Sequence, residues 1–289
     1  MSSIVERIVA DKRAEVAARK AAAPRATLEQ RCALLPAPRD FEAALRPAGR
    51  PVALIAEVKK ASPSRGVLSA TLDPVALARD YARHGADAIS VLTDEKYFQG
   101  HLDLLGAIRG QVSVPLLRKD FTIDEWQLWE SRAAGADAVL LIVSILDGAL
   151  LADLLATAKG LGLAALVEAH TAAEVDKALG AGCRILGINN RDLATFETRI
   201  DTTLELLPLI PPGPIVVSES GFFTGEQVRR VVGAGARAVL VGEGLVKADD
   251  IAAKIQELTL AAPGTRKGAG TTGERGGNGG GASAPPIDE

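Results

Sequence analysis

Short apolar runs recur along this chain at 52–59, 87–93, 114–119, 137–143, 163–168, 185–190, 214–219 and 237–242. Between them lie stretches whose apolar positions repeat with helical period, such as 74–83, 124–134, 149–159, 172–179 and 225–232. A brief apolar run rich in β-branched residues reads as a buried strand, and a longer amphipathic stretch reads as a helix lying on it. An internal echo supports the alternation: His84-Gly-Ala-Asp-Ala-Ile-Ser90, Ala134-Gly-Ala-Asp-Ala-Val-Leu140, Ala181-Gly-Cys-Arg-Ile-Leu-Gly187 and Ala234-Gly-Ala-Arg-Ala-Val-Leu240. In each, a Gly ends a helix and the apolar residues after it start a strand. Eight such strands alternating with helices predict an α/β fold, a closed parallel (β/α)8 or TIM barrel. An open doubly wound sheet is the competitor. It leads one to expect a Gly-rich phosphate turn after the first strand, and Ala61-Ser-Pro-Ser-Arg-Gly66 is not one.

Two segments fall outside the barrel pattern. Residues 3–21 read as a charged amphipathic helix and 39–46 as a second short one, both expected to cover the bottom or the rim of the barrel. From about Pro263 the chain turns to Gly, Thr, Ser and Pro and lacks the apolar surface that offsets ordering entropy. The expected organisation is one barrel domain with its extra N-terminal helices over 1–262, followed by a disordered Gly-rich C-terminal tail over 263–289.

Composition narrows the function. Of 289 residues 47% are apolar but only 3% aromatic, so the core must be built from Ala, Val, Leu and Ile. A net charge of −3 argues against a nucleic-acid partner, which needs a clustered basic surface. Two widely spaced cysteines, Cys32 and Cys183, suit a reducing cytoplasm without a disulfide. The N-terminus is too charged for a signal peptide, and the most apolar run, 138–146, is too short to span a bilayer, so no membrane role is expected. The three histidines, His84, His101 and His170, lack metal-ligand spacing, and no catalytic metal is expected.

The candidate chemistry lies where strands end. Chemistry in such barrels sits at the C-terminal ends of the strands. There this chain places Glu57 and Lys59, Lys119 and Asp120, Glu168 and His170, Asn189 and Arg191, and Glu219 and Ser220. Side chains alternate along a strand, so Glu57 and Lys59 share the face of Ala53 and Ile55, and Lys119 shares that of Leu117 and Phe121. The same parity groups Glu168 and His170 with Leu166, Asn189 and Arg191 with Gly187, and Glu219 with Val217. Taken alone, Glu57 and Lys59 fit either a structural ion pair or an acid/base pair. So many charges converging on one apolar cavity are costly to desolvate, and a proton-transfer site explains that cost better than structure does. Phe98, Phe121, Leu140, Leu193 and Leu240 are candidates to hold a flat ring at the mouth. A phosphate is expected near Gly221 and Gly242, with Glu243 turning its side chain away while its backbone N–H donates. Crowding of Lys59, Lys119 and Arg191 is expected to lower one lysine pKa, against the opposing carboxylates.

These residues fall in motifs: Ile55-Ala-Glu-Val-Lys-Lys-Ala-Ser-Pro-Ser-Arg-Gly66, Ser90-Val-Leu-Thr-Asp-Glu-Lys-Tyr-Phe-Gln-Gly100, Leu117-Arg-Lys-Asp-Phe121, Leu166-Val-Glu-Ala-His170, Gly187-Ile-Asn-Asn-Arg-Asp-Leu193 and Val217-Ser-Glu-Ser-Gly221. In order and content the chain resembles the indole-3-glycerol phosphate synthase family of tryptophan biosynthesis over roughly residues 3–260. The resemblance implies a carboxy-lyase without a cofactor, acting on a small-molecule phosphosugar, as a monomer or weak homo-oligomer. The substrate it implies is an anthranilate ring on a deoxyribulose phosphate, closed to an indole with loss of carbon dioxide and water. It also implies roles: Lys119 as general acid, Glu168 as general base, and Lys59 holding the substrate carboxylate and assisting dehydration with Glu57. Asn189 and Glu219 would position the sugar hydroxyls and Lys119, and Arg191 would support the charge network. Ser62 and Ser220 would join Gly221, Gly242 and Glu243 around the substrate, with the phosphate among the last three. Three rivals are weighed on the residues: a Schiff-base aldolase with Lys119 as nucleophile, which borohydride trapping would reveal; a phosphoribosylanthranilate isomerase, which would want a thiol base at the rim, where neither Cys32 nor Cys183 falls; and a non-catalytic phosphosugar-binding barrel, which predicts the loss of an acid/base group, and none is missing.

Overall fold

The computed structural model describes residues 3–62, 66–67, 72–192 and 195–262; of Ala61, Ser62 and Val67 only the backbone is described. The expected tail over 263–289 lies outside the described residues, as does Leu193. The barrel strands are β1 (Ala53–Val58), β2 (Ala88–Leu92), β3 (Leu116–Lys119), β4 (Ala138–Ile142), β5 (Ala164–Ala169), β6 (Ile185–Asn189), β7 (Ile215–Glu219) and β8 (Ala238–Val241). Each pairs in parallel with its sequence neighbours, and β8 closes on β1 with Ala53 opposite Ala238 and Ile55 opposite Leu240. All eight strands expected from the hydrophobic runs are present. The Ser-Pro loop after β1 adds a two-residue antiparallel ladder, Ala61–Ser62 against Gly66–Val67.

Strand parity divides the core in two. Ala53, Ile55, Ala88, Leu117, Ala138, Leu140, Leu166, Ile185, Ile215, Val217, Ala238 and Leu240 pack inside the barrel. The alternate residues, among them Leu54, Ala56, Ile89, Val91, Val139, Leu141, Val167 and Leu186, pack outward against the helices. A strand buried on both faces needs apolar side chains at every position, which is why these runs are continuous.

The N-terminal helices close both ends of the barrel. Helix α1 (Ile4–Ala22) begins with a capping box between Ser3 and Glu6 and lies across the C-terminal mouth. Helix α2 (Arg25–Ala33) packs on the barrel helix Glu125–Ala133. Helix α3 (Phe41–Ala44) sends Phe41 and Leu45 into the inner core from the opposite end. Its Glu42 meets Arg184, just before β6, at 2.9 Å. Among the described residues no helix is long and apolar enough to cross a membrane.

Candidate active site

The inward face that carries Ala and Leu through the middle of the barrel turns charged at its C-terminal end. Glu57, Lys119, Glu168, Asn189 and Glu219 are brought together there, lining one cleft with Lys59 and Arg191. Its walls are apolar: Phe98, Phe121, Leu140 and Leu240, all expected at the mouth, with Leu92, Ile142 and Phe222 added. Phe98 and Phe121 pack on each other with ring centroids 6.2 Å apart. The space in the cleft, including the part open to solvent, is about 1140 Å³.

At the centre, the Lys119 ammonium lies 3.4 Å from Glu168 Oε2 and 3.8 Å from Glu219 Oε2. Burial pushes Lys119 toward its neutral form, but Glu168, Glu219 and Glu57 outweigh it and the pKa rises. This corrects the expectation of a lowered pKa for this lysine. The cations that were to crowd it are outnumbered at close range by carboxylates.

The three glutamates do not behave alike. Burial alone would protonate Glu168, yet Lys119, His170 and the Asn189 amide hold it below its ordinary range as a carboxylate. Glu57 is kept ionised against its own burial by Lys59 and Lys119. Glu219 goes the other way: burial and the nearby Glu168 raise its pKa well above normal despite Lys119. Among the described residues neither of its oxygens has a hydrogen-bond partner. A raised pKa at Glu219 favours the balance in which two lysines face two carboxylates, and a buried group of this size holds a balanced set of charges more cheaply than an unbalanced one. Gly187 makes room for Glu219, since a Cβ there would stand 2.1 Å from Glu219 Oε1.

Lys59 does not stand free. Its Nζ is 2.6 Å from Glu57 Oε1, so the strand-end ion pair is present, and any anion that Lys59 takes must share it with Glu57. Asn189 accepts the Arg191 backbone N–H on its own Oδ1. Arg191 turns toward Thr198 and, at 3.8 Å, toward Glu243.

The rim after β7 and β8 is where a phosphate was expected. Ser220 and Gly221 have consecutive left-handed φ values of 69° and 89°, and both line the cleft. A serine there is strained, and strain of this kind marks working sites. Asn190 holds the turn, donating to the Ser220 carbonyl and to Ser218 Oγ while accepting from Thr203. Glu243 opens the short helix Glu243–Val246 and its carboxylate is drawn to Lys247 at 2.7 Å. Its negative charge is thereby partly neutralised beside the cleft. The side chains of Ser62 and Leu193 lie outside the described residues, so these two expectations have no structural counterpart here.

Some lining residues were not foreseen. Ile4, Val5 and Ile8 reach the cleft from α1, and Phe196, Phe222 and Phe223 from the loops after β6 and β7. The apolar stripe of α1 was visible in sequence, but not what it docks on. Phe222 and Phe223 follow a left-handed turn, where strand parity no longer tells which way a residue points. Lys12 was also unforeseen: only 1% exposed, its Nζ lies 2.9 Å from both Asp94 and Asp120, the residue after Lys119.

Comparison with known proteins agrees with this geometry. The sequence model of indole-3-glycerol phosphate synthase matches residues 5–258. The indole-3-glycerol phosphate synthase of Roseiflexus castenholzii is 54% identical over 266 residues, covering 89% of this chain and 98% of that protein. The enzyme of the same name from Laribacter hongkongensis is 48% identical over 262 residues, covering 89% of this chain and 99% of its own. Among solved structures, 3-hexulose-6-phosphate synthase from Salmonella typhimurium superimposes with a TM-score of 0.59 at 17% identity, over 72% of this chain and 97% of that one. At that identity the likeness concerns the barrel alone. A match across nearly the whole barrel, joined to a charged cleft at its C-terminal face, places this chain in the indole-3-glycerol phosphate synthase family.

Proposed function

We propose that the cleft closes 1-(2-carboxyphenylamino)-1-deoxyribulose 5-phosphate to indole-3-glycerol phosphate by acid/base catalysis, with Lys119 as the acid and Glu168 as the base. The observation that carries this reading is the buried Lys119–Glu168 contact of 3.4 Å in an apolar-walled cleft. Lys119, kept cationic, protonates the sugar carbonyl oxygen as the ring carbon attacks the carbonyl carbon. Carbon dioxide then leaves, and the electrons of its bond to the ring restore aromaticity. In dehydration Glu168 removes a proton from the neighbouring sugar carbon while the hydroxyl departs as water. The sequence delivers two protons and collects one, so each turnover takes one from solution. Because acid and base touch, the proton collected by Glu168 can recharge Lys119.

Lys59 binds the ring carboxylate, displacing part of its contact with Glu57, and that pair assists the departure of the hydroxyl as water. Asn189, Glu219 and Ser220 orient the sugar hydroxyls and the two proton carriers. Phe98, Phe121, Leu140 and Leu240 hold the aromatic ring, with Arg191 supporting the charge. The Ser220–Gly221 turn and the backbone at Gly242–Glu243 receive the phosphate. A raised lysine pKa is the wrong preparation for a Schiff-base nucleophile, which must be neutral to attack.

The test is direct. Incubated with the carboxyphenylamino substrate and no added metal or nucleotide, the protein should produce indole fluorescence and one equivalent each of carbon dioxide and product. Substrate binding without turnover would sink the catalytic reading and leave a binding barrel.

A further inference from the structure

Behind the base, on the side away from Lys119, stands His170. Its Nδ1 is 3.3 Å from Glu174 Oε2, and the same oxygen accepts the His170 backbone N–H at 2.7 Å. Glu174 is fixed in the first turn of the helix Ala172–Gly180, where its own N–H donates to the N-cap Thr171. The other ring nitrogen, Nε2, points at Glu168 Oε1 from 3.6 Å, is buried, and has no hydrogen-bond partner among the described residues.

The chemistry of these contacts restricts the imidazole. A carboxylate only accepts, so Nδ1 must carry the proton it gives to Glu174. A neutral ring would then present the Nε2 lone pair to the Glu168 carboxylate, a repulsive contact in a buried site. A doubly protonated ring presents an N–H instead, so that each carboxylate faces a donor and a positive charge. The charged groups facing His170 are Glu168 from β5, Glu174 from the following helix and Lys119 from β3.

We propose that His170 is a positioning residue for Glu168: an imidazolium clamped by Glu174 that holds the Glu168 carboxylate ionised and turned toward Lys119. This rests on the reading of Glu168 as the base. Burial opposes a charged His170, but Glu174 and Glu168 outweigh it together with the repulsion from Lys119, and its pKa rises. The effect is reciprocal, because His170 is among the groups that lower the pKa of Glu168. The base is thereby available at lower pH than a carboxyl in so apolar a place would otherwise allow.

His170→Gln removes the cation and leaves a polar side chain of similar reach. An opposite charge within a few ångströms shifts a carboxyl by about 1–3 pH units. The acidic limb of the kcat/KM profile should therefore move up by about one pH unit or more in this variant. Glu174→Gln, which loosens the clamp, should move it the same way by less. Independently of activity, the side-chain 15N spectrum of the unmodified protein, with its three histidines, should show His170 protonated on both nitrogens at neutral pH. A neutral His170 under those conditions, or a His170→Gln profile that superimposes on the unmodified one, overturns the proposal. Glu168→Gln separates the two levels of the argument. Near-full activity in that variant removes the base assignment and the proposal with it, whereas an inactive Glu168→Gln with an unshifted His170→Gln profile overturns the proposal alone.

Discussion

At the scale of single residues, the three buried glutamates differ because their nearest charges differ, and mutations should separate them. Lys119→Ala removes the proposed acid while leaving the carboxylate- and phosphate-binding groups in place. Turnover should fall by about 10²–10⁴, with substrate binding retained. Lys59→Ala should weaken substrate binding as well as turnover. Steady-state kinetics with titration of a product analogue checks both, and equal, mild losses would contradict the division of roles. Glu219 offers a different test. Its folded pKa is raised, so between the ordinary carboxyl range and that raised value the folded state keeps a proton that the unfolded chain has released. Stability contributed by the protonated form is complete at low pH and is lost as pH rises through that window. Glu219→Gln keeps the shape without the titration. Its urea-unfolding free energy should gain on that of the unmodified protein as pH is raised, even as turnover falls. Glu57 and Glu168, with lowered pKa values, contribute the opposite slope and lose stability as pH falls. A difference between the Gln variant and the parent that is flat in pH would show Glu219 to be an ordinary carboxylate.

Among the elements, α1 joins the site to a segment outside the barrel repeat. Lys12 meets Asp120, whose other oxygen is bound by Arg118 and Thr93, and Asp94, the N-cap of the short helix Glu95–Phe98. Burial disfavours the Lys12 cation, but Asp120 and Asp94 outweigh it and raise its pKa. Asp120 correspondingly titrates far below the usual range, because Arg118 and Lys12 overcome its burial. Lys12→Met fills the space but takes away the cation that two buried carboxylates share, leaving Asp120 to Arg118 and Thr93, at a cost of about 3–5 kcal/mol. Thermal denaturation should show that loss, and protease cleavage within 4–22 should precede global unfolding. An unchanged melting temperature would mean that the triad is dispensable. How much of this was legible follows from the elements themselves. Barrel strands announce themselves because both faces are buried, and parity then selects the inward set, so Lys119, Glu168, Asn189 and Glu219 could be found from sequence. Helix α2 was missed because Arg25, Glu29, Gln30 and Arg31 leave it with little apolar signal beyond the buried Leu28. The docking of Lys12 was not readable either. A lysine on an amphipathic helix looks solvated until the two carboxylates that receive it are placed by strands some eighty residues and more away.

At the scale of the whole molecule, the two ends of the barrel divide the labour, and the sequence echo belongs to the quieter end. In two repeats the residue before the strand is a buried Asp that accepts from the backbone of the preceding strand: Asp87 from Leu54 N–H and Asp137 from Leu116 N–H. Each is also held by an arginine, Arg50 for Asp87 and Arg109 for Asp137. Asp137, fully buried, accepts in addition from the backbone N–H of Arg39 at 2.6 Å, tying the approach to α3 onto the barrel floor. These carboxylates stitch neighbouring strands at the N-terminal face, where a barrel is expected to place its stability and not its chemistry. Asp137→Asn tests this division. All three partners of Asp137 are donors, and an amide has only one acceptor oxygen. Its NH2 must therefore face a backbone N–H or the Arg109 guanidinium, and in either case the half-buried Arg109 loses the counter-charge of Asp137. The expected cost is about 3–5 kcal/mol, read as a lower melting temperature and urea midpoint. Activity per folded molecule should stay within about twofold, because the charges at the opposite mouth keep their partners. A drop in kcat/KM at a temperature where the variant is fully folded would show that the floor and the mouth are coupled through the strands, and that the barrel does not separate them.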